Sequence, residues 1–254
     1  MTAVTTRVIP GCEAFRFDGG RLGALLLHGF TGNPMSMRPL GQWLAGEGLS
    51  VAGPRYPGHG TTWQDLATTR WTDWAEEAER GFQDLASRCE DLVLVGLSMG
   101  GAMACHLTAQ HQDRVRGLVV INAYIRDVRL GFAPFVRLFT RSRPGVGNDI
   151  KKPAQNEAPY DRVPLSAAAS LGKMLKVVQR EVPGIDIPFL QFHAPEDHVV
   201  PKGSAQYLFD RIGSSEKEMV ILPNSYHVAT LDYDADTIGE RTLGFARAHA
   251  RSAA

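Results

Sequence analysis

Cysteine is scarce in this chain: three in 254 residues, Cys12, Cys89 and Cys105, far apart and odd in number. That argues against a disulfide framework or a thiolate metal site and leaves all three as small buried apolar side chains in a reducing compartment. An excess of charge of either sign is also missing. Lys plus Arg and Asp plus Glu both number 27, so there is no basic surface of the kind a nucleic acid requires. No apolar run approaches the ~20 residues needed to cross a bilayer. The opening residues, Met1-Thr2-Ala3-Val4-Thr5-Thr6-Arg7, lack the basic-then-apolar order of a secretory signal, so a cytoplasmic protein is expected. What remains, 44% hydrophobic and 21% charged, suits one large globular core with room for an insertion.

Against that ordinary background one stretch stands out, Val93-Leu94-Val95-Gly96-Leu97-Ser98-Met99-Gly100-Gly101-Ala102-Met103. A buried apolar strand stops at a glycine, presents one serine and passes through two more glycines into a helix. This is the G-x-S-x-G elbow pattern. Gly96 and Gly100 carry no Cβ, so strand and helix can pass closely and leave Ser98 at the tip of a strained turn. The helix N-terminus behind Ser98 favours developing negative charge.

The rest of the chain supplies partners. Glu13–Phe17 alternates as an edge strand, and Leu22–His28 is a continuous apolar run expected of a strand buried on both faces. It ends in His28-Gly29-Phe30-Thr31-Gly32, a loop whose glycines leave backbone N–H groups free to face a site. With the elbow downstream, the N–H groups of Phe30 and Met99 are the expected oxyanion hole. Helical spacing covers Pro39–Glu47 and Trp71–Arg88, and further strands are expected at Leu49–Pro54, Arg116–Ala123, Ile187–Ala194 and Glu218–Leu222. The βαβ rhythm predicts an α/β fold with a mostly parallel central sheet flanked by helices.

Near Tyr124 the rhythm breaks, and no strand is evident before about Ile187. The division that follows is a core of residues 1–123 and 188–254 with residues 124–187 inserted as a small cap. Phe132, Phe135, Val136, Leu138 and Phe139 lie in its Gly131–Thr140 stretch, and Lys173–Arg180 reads as helical. Arg126, Arg129, Arg137, Arg141 and Arg143 make this region locally basic, which suits transient contact with a lipid surface or simply a solvated face. Beyond it, Glu196, Asp197 and His198 follow a strand end, and spacing alone does not separate Glu196 from Asp197 as the carboxylate partner of a histidine. Of eight histidines, only His227 lies in a loop after the last strand, downstream of both serine and carboxylate. His59, between Gly58 and Gly60, has no carboxylate partner in sight and reads as a loop-holding residue.

Five blocks carry a resemblance over nearly the whole chain: Leu27-His28-Gly29-Phe30-Thr31-Gly32, Gly58-His59-Gly60, Gly96-Leu97-Ser98-Met99-Gly100-Gly101, Glu196-Asp197-His198-Val199-Val200-Pro201 and Asn224-Ser225-Tyr226-His227-Val228-Ala229-Thr230-Leu231-Asp232. With them the chain resembles the bacterial monoacylglycerol lipases and related thermostable carboxylesterases of the α/β-hydrolase superfamily, whose order is nucleophile, acid, base. The resemblance implies a cofactor-free serine esterase acting on small esters or monoacylglycerols, with Ser98, Asp197 and His227 as nucleophile, acid and base. It also implies a cap glutamate that binds the glycerol hydroxyls, and Asn156-Glu157-Ala158-Pro159-Tyr160 nominates Glu157. The first half of the insertion departs from the family pattern. A general carboxylesterase without glycerol selectivity, another chemistry on the same triad, and a non-catalytic ligand-binding relative are the competing expectations.

Overall fold

The computed structural model describes residues 7–132 and 140–251. The first strand, β1 (Phe15–Phe17), and then β2 (Leu22–Leu27), β3 (Ser50–Gly53), β4 (Asp91–Leu97) and β5 (Val115–Ile121) enter one sheet in turn. A short separate hairpin, β6 (Ser142–Pro144) and β7 (Arg162–Pro164), precedes the last two sheet strands, β8 (Phe189–His193) and β9 (Lys217–Ile221). The sheet has seven strands in the order β1-β3-β2-β4-β5-β8-β9, parallel throughout except for β1, which runs antiparallel to β3 at the edge. This is the mostly parallel, helix-flanked sheet that the βαβ rhythm predicts, and the fold that the resemblance implies.

Alternation along the central strands assigns their side chains to two cores. Leu25, Leu27, Leu92, Leu94, Leu118 and Val120 pack against α3 (Trp71–Ala86) and α4 (Met99–Gln110), whose Trp74, Phe82 and Met103 are buried there; α1 is Arg38–Gly46 and α2 is Trp63–Leu66. Also on this side are α5 (Leu165–Glu181) and α6 (Ser204–Arg211). Ala24, Leu26, Val93, Val95, Val119 and Ile121 face the other way, onto α1 and α7 (Ala235–His249). Strands with apolar residues on both faces read as continuous hydrophobic runs, and that made them visible in the sequence. All three cysteines are buried and unpaired.

Between β5 and β8 the structure departs from two expectations. A strand pair exists there: β6 and β7 are three residues each, too short to show any alternation, and pair antiparallel. The helix expected at Lys173–Arg180 runs from Leu165 to Glu181, because Leu165-Ser166-Ala167-Ala168-Ala169-Ser170 starts it two turns earlier. Its Ala167, Ala168 and Leu171 are packed into the core, and small side chains give a weak hydrophobic period. Of the apolar Gly131–Thr140 stretch, residues 133–139, with Phe135, Val136, Leu138 and Phe139 and also Arg137, lie outside the described residues.

Candidate active site

Ser98 sits where β4 ends and α4 begins, with φ +59° and ψ −120°, a region that L-residues rarely occupy and that costs about 1–3 kcal/mol. Neighbours hold it there. Its N–H donates to the Ile121 carbonyl at 2.9 Å, and its own carbonyl accepts from the N–H groups of Tyr124 and Gly101, both at 3.0 Å. The flanking glycines are sterically required. A Cβ on Gly96 would lie 2.1 Å from the Gly100 carbonyl oxygen, and one on Gly100 would lie 2.0 Å from that of Leu27. The turn is as tight as the sequence pattern demands.

The loop after β2 faces this turn: a Cβ on Gly29 would stand 3.7 Å from the Ser98 hydroxyl oxygen. His28 fixes the loop from behind. Fully buried, it accepts the Tyr56 N–H at Nε2 (3.3 Å), so Nδ1 carries the proton and donates to the Gly29 carbonyl at 2.9 Å. Burial, reinforced by neighbouring His59, holds its pKa well below the ordinary histidine range, and it stays neutral. Among the described residues the N–H groups of Phe30 and Met99 have no protein acceptor. His59 is buried among Phe30, Tyr56 and Trp74 and bonds the Pro57 carbonyl at 3.2 Å; Arg55 donates to its own carbonyl. The Gly58–His59–Gly60 turn also receives the Tyr160 hydroxyl, which donates to the Gly58 carbonyl at 2.7 Å and accepts the Thr61 N–H.

Geometry separates the neighbours after β8. Asp197 Oδ2 lies 2.7 Å from His227 Nδ1, and its Oδ1 accepts the N–H groups of Val199 and Val200. Glu196 instead pairs with Lys151 at the surface, and His198 pairs with Asp149. Burial opposes the charge on Asp197, but the hydrogen bond and charge of His227 outweigh it and hold the carboxyl below its usual range. Burial likewise opposes the His227 imidazolium. The bond to Asp197 and the charges of Asp197, Glu157 and Asp149 outweigh that and raise its pKa above the ordinary value.

Ser98, His227, Phe30 and Glu157 all line one cavity of about 470 Å³; Asp197 stands behind His227, and Met99 directly follows Ser98. Leu130, Val146, Val163, Leu165, Ala168 and Leu171 give the cavity an apolar wall. Glu157, Asp149 and His198 form a polar end. Glu157 is buried in a loop, and among the described residues its carboxylate accepts no hydrogen bond. Burial pushes its pKa up to about 7, with Asp149 adding to the rise against the pull of His227. Among the described residues no three His, Cys, Asp or Glu side chains converge as a metal cage would require.

Four buried residues at this site were given no role in the sequence reading, although Asp232 closes the last of its five blocks. Asn33 donates to the Glu157 carbonyl at 2.6 Å. Asn122, at φ +45° after β5, donates to the His227 carbonyl and accepts the Ala194 N–H, both at 2.8 Å. Asp149 accepts the His227 N–H, and Asp232 accepts four backbone N–H groups, those of Lys151, Lys152, Tyr226 and Tyr233. An asparagine just past a strand, as Asn122 is, was the one available signal; the rest act across long sequence separations.

Fold and sequence together define the class. The chain belongs to the alpha/beta hydrolase family, whose profile matches residues 24–240. Within it the chain is 41% identical to the thermostable monoacylglycerol lipase of Bacillus sp. (strain H-257), over 96% of this chain and 97% of that one. It is 26% identical to a carboxylesterase of Bacillus subtilis (strain 168), over 92% and 95%. A solved structure from work on the metagenome-derived lipolytic enzymes LipS and LipT superimposes with a TM-score of 0.92 at 40% identity, covering 96% of this chain and all of that one. The monoacylglycerol lipase of Paleococcus ferrophilus, at 16% identity and a TM-score of 0.77 over 93% of this chain and 98% of that one, shares the fold. No described helix is long and apolar enough to cross a membrane.

Proposed function

We propose that this chain hydrolyses carboxylic esters, with monoacylglycerols as its preferred substrates, through an acyl-enzyme on Ser98. The observation that carries the reading is one cavity joining a strained serine, a buried histidine paired at 2.7 Å with a carboxylate, and a buried carboxylate, Glu157, that has no hydrogen-bond partner among the described residues. The names of the Bacillus relatives support ester hydrolysis.

In this mechanism His227 Nε2 takes the Ser98 hydroxyl proton as the oxygen attacks the ester carbonyl. Asp197, bonded to Nδ1, fixes the tautomer and stabilises the imidazolium. The Phe30 and Met99 N–H groups hold the tetrahedral oxyanion, each worth about 3 kcal/mol in the transition state. His227 returns the proton to the departing alcohol, then activates water to cleave the acyl-enzyme. The acyl chain lies along the apolar wall, and Glu157 at the polar end receives the glycerol hydroxyls. A buried acceptor without a protein partner is costly, so a substrate hydroxyl gains by reaching it.

Residues 124–187 act as a cap in this reading, since β6, β7 and α5 all contribute to the cavity wall. Val128 and Val146, exposed on that segment, give it apolar points for brief contact with the lipid surface where such substrates reside. Three buried, unpaired cysteines support a cytoplasmic setting.

The test is hydrolysis of monoacylglycerols and the matching methyl esters by wild type, Ser98→Ala and Glu157→Gln. Ser98→Ala is expected to abolish both activities with the melting temperature retained, and full activity in that variant sinks the mechanism. If wild type gains nothing from glycerides over methyl esters, the general carboxylesterase reading replaces the glyceride one; a preference left unchanged in Glu157→Gln removes Glu157 from glycerol binding.

A further inference from the structure

Asp149 belongs to the segment between β6 and β7, about fifty residues before Asp197 and eighty before His227, yet it touches the loops of both. Its Oδ2 accepts the backbone N–H groups of His198 and His227, each at 3.1 Å. Its Oδ1 lies 2.8 Å from His198 Nδ1, and its own carbonyl accepts the Val228 N–H at 3.1 Å. The contacts continue along the chain: Lys151 and Lys152 donate their N–H groups to Asp232, which also takes that of Tyr226. From the opposite side Asn122 donates to the carbonyls of Tyr226 and His227. The His227 backbone is therefore held at its carbonyl by the sheet and at its N–H by the inserted segment.

We propose that Asp149 is a positioning residue, joining the acid loop and the base loop through one carboxylate so that Asp197 and His227 keep the alignment hydrolysis requires. The proposal rests on the assignment of His227 as the base in the function proposed above. It makes the inserted segment a part of the catalytic machinery as well as a wall of the cavity, because the residue that sets the base is carried by the insertion.

A carboxylate does something here that an amide would not. Three carboxylates act on the charge of His227: Asp197 bonded at Nδ1, Glu157 lining the same cavity and Asp149 at the backbone N–H. His198, on the acid loop, is hydrogen-bonded to Asp149 through Nδ1 at 2.8 Å. Among the described residues the arginines lining the cavity are Arg129 and Arg143, and Arg129 is engaged by Asp127. The elbow and the first turns of α4 contribute no charge. Asp149 thus favours the His227 imidazolium, and removing its charge lowers the pKa of the base.

The experiment compares wild type, Asp149→Asn and Asp149→Ala on a short-chain p-nitrophenyl ester across pH 5–9, with melting temperatures recorded at each pH. Asparagine can still accept the two backbone N–H groups but carries no charge. Its acid limb of kcat/KM is expected to move to lower pH by about half a unit, with the plateau kcat kept within several-fold. Alanine removes the acceptor as well, and kcat is expected to fall about 100-fold, more than KM rises. The proposal is overturned if the asparagine profile superimposes on that of wild type, or if the alanine variant keeps its kcat wherever it is folded. Wild type without esterase activity, or an active Ser98→Ala, overturns the underlying assignment instead; an active wild type with indifferent Asp149 variants overturns this proposal alone.

Discussion

Asn33 holds Glu157 by its backbone: the Asn33 side-chain amide donates to the Glu157 carbonyl at 2.6 Å, bridging 124 positions of sequence. The same amide makes a longer contact to the Ala158 carbonyl, and Asn33 Oδ1 accepts the Met35 N–H that opens the turn after the Phe30 loop. Asn148 Oδ1 takes the Glu157 N–H. The loop that would bind the oxyanion and the loop that presents Glu157 are thereby fixed to each other. The carboxylate approaches Gly32 so closely that a Cβ there would stand 3.2 Å from its oxygen.

Asn33→Asp is accordingly expected to act on substrate choice. The new carboxylate still accepts from Met35 but faces the Glu157 carbonyl with no donor, a mismatch of about 1–3 kcal/mol. Part of it is relieved by displacement of the Glu157 loop. The ratio of kcat/KM for a monoacylglycerol over its methyl ester should fall about tenfold, the equivalent of 1.4 kcal/mol. An equal fall for both substrates would assign Asn33 to overall stability alone.

Glu157 also makes a prediction about stability. Its carboxyl titrates near 7 when folded and near the ordinary carboxylate value when unfolded, so the folded state binds the extra proton. A raised carboxyl pKa means stability present at low pH that is lost as pH rises from about 4.5 to about 7. The loss above pH 7 is on the order of 3 kcal/mol. Glu157→Gln cannot ionise, so it should melt above wild type at pH 8 and close to it at pH 5. Parallel melting curves for the two proteins across that range would refute the assignment.

Much of this architecture was legible because the central strands are buried on both faces. Leu22–Leu27, Asp91–Leu97 and Val115–Ile121 show as apolar runs, and Gly96 and Gly100 mark a crossing that tolerates no side chain. Asp197 could not be told from Glu196 by spacing, since adjacent residues differ only in direction; the fold turns one onto His227 and the other onto Lys151. The hairpin β6–β7 was invisible because three-residue strands carry no period. The roles of Asn33, Asp149 and Asp232 were invisible for a different reason. Each is an ordinary polar residue whose partners are backbone N–H or C=O groups, and backbone groups leave no mark in a sequence.

Asp232 provides the plainest stability test. It is 1% exposed, and its two oxygens accept the N–H groups of Lys151, Lys152, Tyr226 and Tyr233 at 2.7–2.9 Å. Asp232→Ala strands several donors at once, each costing about 1–3 kcal/mol where water cannot replace the acceptor. A net loss of about 3–5 kcal/mol by urea denaturation is expected, and a loss under 1 kcal/mol would show that water takes over the acceptors. Asp232→Asn, which keeps an acceptor for some of the donors, should fall between.

The elbow itself can be tested by comparing two glycines. At Gly100 an added Cβ would meet the Leu27 carbonyl oxygen at 2.0 Å and the Leu27 carbonyl carbon at 2.5 Å, atoms of a central strand that cannot move aside. At Gly244, inside α7, it would meet nothing within 4 Å. Helix propensity alone favours alanine over glycine at both positions by about 1 kcal/mol. Gly244→Ala should therefore raise the melting temperature by about 2–4 °C without touching ester hydrolysis. Gly100→Ala must push β2 and α4 apart, so the crossing that sets Ser98 is lost and overpacking outweighs the helical gain by several-fold. It should melt well below wild type, and whatever folds should hydrolyse esters poorly. If Gly100→Ala were stable and fully active, the strained placement of Ser98 would not depend on that close approach.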